Sequence, residues 1–284
     1  MKSDYQMYGW ELSYFSGKLR GYLRFKNLNF SEKTVNVLDL TRRIPKATGA
    51  QVMPVIKTRD GEWLQDTTII IEQLEQKHPE PSITSSGARQ QIAAMFIEAW
   101  ADEYWIPTGM HYRWNFPENF ELFQREAGKN LLPFAPKRLR DKAVEKPVKF
   151  LRGVLPGVGV VPESLETIER WTEQTLDLLE THFSEHDYLF GGRPSVGDFG
   201  LIGPLYAHLG RDPYPKRELV DKRPNLKAWV ERVHTGRPAS GDWLADDEIP
   251  TTLAPIFAAL FAEFGEMAIV SDPDGRKIEL KERK

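Results

Sequence analysis

The sequence predicts an α/β N-terminal half followed by an all-α C-terminal half. Three observations carry that prediction. Between residues 5 and 78, short apolar runs and helical periodicity succeed one another in the order β-α-β-β-β-α. A Pro- and Ser-rich stretch, His78-Pro79-Glu80-Pro81-Ser82-Ile83-Thr84-Ser85-Ser86-Gly87, then interrupts the pattern. Beyond it the apolar spacing is helical almost to the end.

Residues 5–9 are a short aromatic-rich run that reads as the first strand. Residues 16–26 put Leu19, Tyr22 and Leu23 on one face and Lys18, Arg20, Arg24 and Lys26 on others, with Asn27 and Asn29 as helix-end residues. Residues 34–38 alternate as a strand, and residues 42–51 read as irregular. Residues 53–58 and 62–64 flank Arg59-Asp60-Gly61, a hairpin with a glycine turn. Residues 67–78 form a helix stopped by Pro79 and Pro81. Two strands joined through a helix must run parallel and the hairpin antiparallel, so the sheet is small and mixed. The chain divides into an N-terminal domain at 1–79, a linker at 80–87, a helical domain at 88–266 and a tail at 267–284. Residues 88–112 predict one long helix, and 163–186, 198–209, 224–235 and 251–264 predict further ones. Residues 115–160, punctuated by Pro117, Pro133, Pro136, Pro147 and Pro156, predict a helical insertion with loops. In the tail, Ala268-Ile269-Val270 and Lys277-Ile278-Glu279-Leu280 flank a Pro- and Gly-containing turn, a terminal β-hairpin.

Composition narrows the functional classes. A chain of 284 residues, 40% hydrophobic and 28% charged, is an ordinary globular protein of one or two domains. A net charge of −3 offers no strong field, so neither nucleic acid nor a membrane is an expected partner. With Cys absent, a disulfide framework, a Cys–Zn site and a Cys nucleophile are excluded. Any sulfur chemistry must use a thiol brought in by a ligand. Met1 to Trp10 lacks an apolar signal core, and no apolar run approaches the ~20 residues that span a bilayer, so a cytoplasmic location is expected. His78, His182, His186, His208 and His234 are scattered, and no metal-ligand spacing appears.

Four local patterns go beyond secondary structure. Ser13-Tyr14-Phe15-Ser16-Gly17-Lys18-Leu19-Arg20 opens the first helix with a hydroxyl, which taken alone is a helix cap. Val52-Met53-Pro54-Val55-Ile56 sets a proline at the head of a strand, for which the sequence by itself predicts a trans bond. Leu64-Gln65-Asp66-Thr67-Thr68-Ile69-Ile70 places an acid and a hydroxyl before an apolar helix, the pattern of an N-cap pair. Ser195-Val196-Gly197-Asp198 is a capping box with Asp in the usual Glu position. In this order and spacing the set resembles the glutathione transferase family, in its Ser- and Cys-using branches. The resemblance covers residues 5–80 and 163–236 and leaves residues 115–160 and the tail unexplained.

What the resemblance implies is specific. The architecture is a thioredoxin-like N-terminal domain with an all-helical C-terminal domain, glutathione is the co-substrate, no metal is needed, and the assembly is a homodimer. Ser13 falls on the family's active hydroxyl and Arg20 on the arginine of its first helix. A free thiol titrates near ~8.5. A hydroxyl donor backed by the positive end of a helix dipole stabilises the thiolate without losing its own proton. Pro54 falls on a cis-proline, and the backbone of Val52 and Met53 on the segment that pairs with the tripeptide as an added strand. Asp66 matches the acceptor of the γ-glutamyl ammonium, and Thr67, with its backbone N–H, the donor to the neighbouring carboxylate. Arg42, Arg43 and Lys46 are all candidates for the glycine carboxylate. For the second substrate, a small apolar electrophile, the candidate lining is Tyr14, His111, Tyr112 and Trp114, while Trp100 and Tyr104 default to the core. Tyr8 lies too early for the tyrosine-using branch, and Tyr14 stands where one subgroup has proline. A binding protein that keeps the fold without the chemistry, and a glutathione-dependent lyase or isomerase, remain the alternatives.

Overall fold

The computed structural model describes residues 3–266, 269–271 and 277–279. Strand β1 (Tyr5–Gly9) leads into α1 (Tyr14–Phe25), and β2 (Phe30–Thr34) returns beside β1. A π-helical turn at Asp39–Arg43 and α2 (Ile44–Thr48) precede β3 (Val55–Thr58), β4 (Trp63–Gln65) and α3 (Thr67–Lys77). The sheet order is β2-β1-β3-β4, parallel between β1 and β2 and antiparallel elsewhere. Met7, Leu19, Leu23, Ile56, Ile70 and Leu74 are buried between sheet and helices.

The second strand lies earlier than the alternation at 34–38 predicts. Phe30–Thr34 is a half-exposed edge strand whose residues do not alternate, and pairing with β1 is what defines it. Residues 42–51 are mostly helical, closed by Gly49 at φ 79°, a left-handed conformation that glycine adopts freely.

Past the linker come α4 (Ala88–Tyr104), α5 (Ile106–Asn115), α6 (Pro117–Leu131), α7 (Lys137–Val154), α8 (Leu165–Glu185), α9 (Val196–Pro204), the single turn α10 (Pro213–Pro215), α11 (Pro224–Thr235) and α12 (Ala254–Glu266). The single helix predicted for 88–112 is broken at Trp105, because Pro107 lacks the N–H that a continuous helix needs there and instead starts α5. In the insertion, Pro117 occupies the first turn of α6 and Pro136 caps α7, so these prolines begin helices rather than loops. The tail contains an antiparallel pair, β5 (Ile269–Ser271) and β6 (Lys277–Glu279); the expected turn between them, Ala268 and Leu280 lie outside the described residues.

The capping box forms as its pattern predicts. Asp198 accepts from Ser195 N (2.8 Å), Ser195 Oγ (2.9 Å), Leu189 N (3.1 Å) and Trp229 Nε1 (2.9 Å). Burial, only partly offset by these donors, pushes its carboxyl up to about 6. It thereby starts α9, which α1 packs against closely. A Cβ on Gly203 would stand 2.9 Å from Tyr14 Cδ1, and where α1 meets α11 one on Gly21 would stand 3.2 Å from the Val233 carbonyl oxygen. One apolar core accordingly runs from Met7 and Leu19 through Trp100 and Leu176 to Trp229.

Candidate functional site

Sheet register assembles the segments singled out in the sequence. Tyr8 pairs with Val55, Val55 with Gln65, and Gly9 with Thr34. The exit of β1, the entry to β3, the exit of β4 and the exit of β2 therefore lie at one end of the sheet. Ser13, Met53-Pro54, Asp66-Thr67 and the basic turn at Arg42–Arg43 all emerge there. The Met53–Pro54 bond is cis, as the resemblance implies and the sequence alone does not.

Ser13 is the N-cap of α1, and its Oγ accepts from Ser16 N at 3.3 Å. That contact uses an oxygen lone pair and leaves the hydroxyl proton for another acceptor. The preceding residues are held from several sides. Arg20, fully buried on α1, donates to Glu32 from Nε at 2.8 Å and reaches Glu11 at 3.4 Å. Arg113 on α5 donates to the Leu12 carbonyl at 2.6 Å and to Ala207 O at 2.6 Å, and grips Asp212 with two bonds of 2.9 Å. Asp212 is fully buried and its pKa is raised by that burial, against the pull of Arg113. His208, also beside Arg113, is held well below its usual range by burial and by that cation.

Asp66 caps α3, accepting from Thr68 N (3.0 Å) and Ile69 N (3.3 Å) at φ 70°. Lys18, fully buried on α1, joins this helix start to α4. It contacts Thr68 Oγ1 at 3.1 Å, Glu98 at 2.7 Å and Asp102 at 2.5 Å. Desolvation raises Asp102 to about 6, with Lys18 opposing. All three basic candidates are exposed, and of them Arg43 is paired with Asp39.

Beside Ser13 lies a cavity of about 710 Å³, within the usual range for a small-molecule site. Trp10, Ser13, Tyr14, Leu40, Thr41, Gln51 and Met53 of the N-terminal half line it. Met110, Arg113 and Trp114 of α5, Phe123 and Leu131 of α6, and Lys146, Pro147, Phe150 and Leu151 of α7 enclose the rest. Tyr14 contributes ring surface only, since its hydroxyl donates to Ala101 O and burial raises its pKa strongly.

Residues 7–82 match the family model of the glutathione S-transferase N-terminal domain, and residues 163–232 that of the C-terminal domain. The chain belongs to the glutathione transferase family. Glutathione S-transferase F14 of Arabidopsis thaliana is 25% identical over 134 residues, 42% of this chain and 51% of that relative, so the chain spans about half the length of the curated relative it matches. The β-etherase LigF of Sphingobium sp. strain SYK-6 superposes with a TM-score of 0.55 at 19% identity, over 90% of this chain and 99% of that one. A glutathione S-transferase of Methylobacterium radiotolerans, in complex with glutathione sulfonate, gives 0.52 at 19% identity over 87% and 99%. FzlA from C. crescentus gives 0.54 at 17% identity over 87% and 96%. At such identities these structures establish the shared fold: a thioredoxin-like half and a helical half.

In this glutathione transferase family member, His111 and Tyr112 do not line the cavity. His111 Nε2 meets Glu169 at 2.8 Å and Nδ1 meets Asn115 at 2.8 Å, while Tyr112 stacks on Phe116. Helix phase explains the difference: Met110, Arg113 and Trp114 share one face by i, i+3, i+4 spacing, and residues 111, 112 and 115 face away. Exposed Val52 and Asp66 and buried Thr67 at the start of α3 lie outside the lining. Sequence reasoning missed Arg113, whose aromatic surroundings mask a buried cation, and the walls from α6 and α7, which the family pattern does not cover. Among the described residues, no cluster of three or more His, Asp or Glu can hold a metal ion, and no helix is long and apolar enough to cross a membrane.

Proposed function

We propose that this protein binds glutathione at the sheet end and transfers its sulfur to an apolar electrophile held in the cavity. The observation that carries the reading is Ser13: a helix-capping hydroxyl in the cavity lining whose proton is uncommitted. The Ser13 O–H donates to the glutathione sulfur, and the α1 N-terminus favours the negative charge, so the thiol proton leaves to solvent near neutral pH. The thiolate lone pair then forms a carbon–sulfur bond at the electrophilic carbon. The displaced group departs with the bonding pair or, in an addition, the carbanion takes a proton from water. Ser13 keeps its proton throughout. Catalysis is thiolate stabilisation plus proximity.

Val52, Met53 and Pro54 hold the peptide backbone in this reading, Asp66 the γ-glutamyl ammonium and Thr67 its carboxylate. Exposed Arg42 or Lys46 takes the glycine carboxylate more readily than Arg43, which Asp39 already neutralises. Residues 1–79 act as the glutathione-binding unit, 80–87 as linker and 88–266 as the acceptor-binding unit, with 267–284 a tail. A homodimer in the cytoplasm completes the reading; exposed Ile69 on α3 and Ile92 and Met95 on α4 form the apolar face for it.

Calorimetry with glutathione, together with ultraviolet titration of the bound thiol, tests the proposal. Binding with a thiol pKa shifted below that of free glutathione supports it. Binding without that shift, and without turnover on an electrophile panel, makes the protein a non-catalytic binder.

A further inference from the structure

Helix α7 is chemically unlike the rest of the chain. Over Lys137–Val154, seven Lys and Arg stand against Asp141 and Glu145, a net of +5 on a chain of net −3. The whole-chain charge, which argues against an anionic membrane, averages this segment away. Arg140 is used by the carbonyls of Leu132 and Pro133, Arg152 lies 4.8 Å over the Phe120 ring, and Lys137 pairs with Asp141. Among the described residues, none forms an ion pair with Arg138, Lys142, Lys146 or Lys149.

Large apolar side chains stand in water amid these free cations. Leu139 is 54% exposed, Phe150 70%, and Phe134, just before the helix, 99%. Leu139, Lys146 and Phe150 are spaced by seven and four residues, which aligns them on one stripe. Lys142 and Lys149 flank that stripe on one side. The opposite face, with Val144 buried and Leu151 on the cavity wall, packs inward. Lys146 and Phe150 are both exposed and both line the cavity, so they stand at its rim.

We infer that α7 seats this protein on an anionic lipid surface, with Phe134, Leu139 and Phe150 entering the headgroup layer and the unpaired Lys and Arg meeting lipid phosphates. Cations interleaved with exposed aromatic and aliphatic side chains on one helix are what such a surface rewards. A nucleic acid would use the cations but gain little from Leu139 or Phe134. A second copy of the chain would bring the same +5 face against its twin. The pose turns the cavity rim toward the bilayer, where an apolar acceptor concentrates. Docking itself requires no glutathione, so vesicle binding reads it independently of turnover.

The test is flotation of the full chain with phosphatidylcholine vesicles, with and without phosphatidylglycerol. The expected result is salt-sensitive binding to the phosphatidylglycerol vesicles alone. Lys142→Ala with Lys149→Ala weakens partitioning about fivefold per charge, roughly 25-fold together, and the paired Arg substitutions retain it. Phe134→Ser with Leu139→Ser weakens it at unchanged charge. None of these positions lines the cavity, so turnover on a water-dissolved acceptor stays unchanged and circular dichroism confirms folding. Three results overturn the inference: no partitioning at low salt, equal binding to phosphatidylcholine alone, or salt-sensitive binding that ignores Phe134 and Leu139. Duplex DNA that strips the protein from vesicles at equal phosphate does so too, by making the face a general polyanion site.

Discussion

Replacing Ser13 separates the capping role of its hydroxyl from the role that the proposed function gives it. As a cap, Ser13 Oγ accepts from Ser16 N at 3.3 Å, a long bond, so Ser13→Ala costs about 0.5–1 kcal/mol of stability and roughly 1–3 °C in Tm. As a thiolate donor it makes one charge-assisted bond of about 1.5–3 kcal/mol, which corresponds to roughly 10- to 150-fold in kcat/KM. The same loss raises the bound thiol pKa by about one to two units. Ser13→Asp divides the roles further. It preserves an acceptor for Ser16 N–H, so stability holds, but it opposes a carboxylate to the thiolate. Turnover in Ser13→Asp falls below that of Ser13→Ala. The assays are thermal denaturation, thiol titration of the glutathione complex, and kcat/KM on a reactive aryl halide. A thiol pKa equal in wild type and Ser13→Ala would refute the reasoning, since Ser13 would then be a cap alone.

Removing Asp198 leaves four donors unsatisfied at a fully buried site, so Asp198→Ala loses at least about 3 kcal/mol, read by denaturant melts, while glutathione affinity per folded molecule is kept. Arg113→Ala strands the buried Asp212 and frees the Leu12 carbonyl, costing about 3–5 kcal/mol; Arg113→Lys recovers little because lysine lacks the two-pronged geometry, and full recovery of stability would show the fork to be unimportant. His182 donates from Nε2 to Tyr188 O and accepts at Nδ1 from Thr252, and burial lowers its pKa to about 4. Its contribution is present above about pH 6.5 and is lost as pH falls through 4, up to about 3 kcal/mol, because the unfolded chain takes the proton first. Asp198, raised to about 6, titrates in the opposite sense, so the informative measurement is the difference in stability slope between wild type and His182→Gln; identical slopes would contradict the assignment.

Local patterns were readable because local physics decides them. The capping box, the cap at Ser13 and the glycine hairpin each depend on residues a few positions apart. Strand β2 was misplaced because Phe30–Thr34 owes its state to pairing with β1 rather than to its own alternation. Arg113 escaped notice because its carboxylate partner is 99 residues away. Residue type points to His111 and Tyr112, whereas helix phase turns Met110, Arg113 and Trp114 to the cavity. The helices of the insertion agree with its expected helical character, but their bounds are not legible from its prolines, since Pro117 and Pro136 sit where helices begin and Pro147 lies inside one.

The close seams of α1 on α9 and on α11, with glycine backbones against Tyr14 and the Val233 carbonyl, limit how such a chain can be recombined. The matched segments at 7–82 and 163–232 suggest interchangeable modules, yet the helix that presents Ser13 completes the hydrophobic interior of the other module. A chimera that imports a foreign helical half must import a groove narrow enough for Gly17 and Gly21, or the helix capped by Ser13 is pushed off its seat. The placement of Ser13 is thus inherited as a matched pair, and neither module can drift in sequence along that contact without the other following.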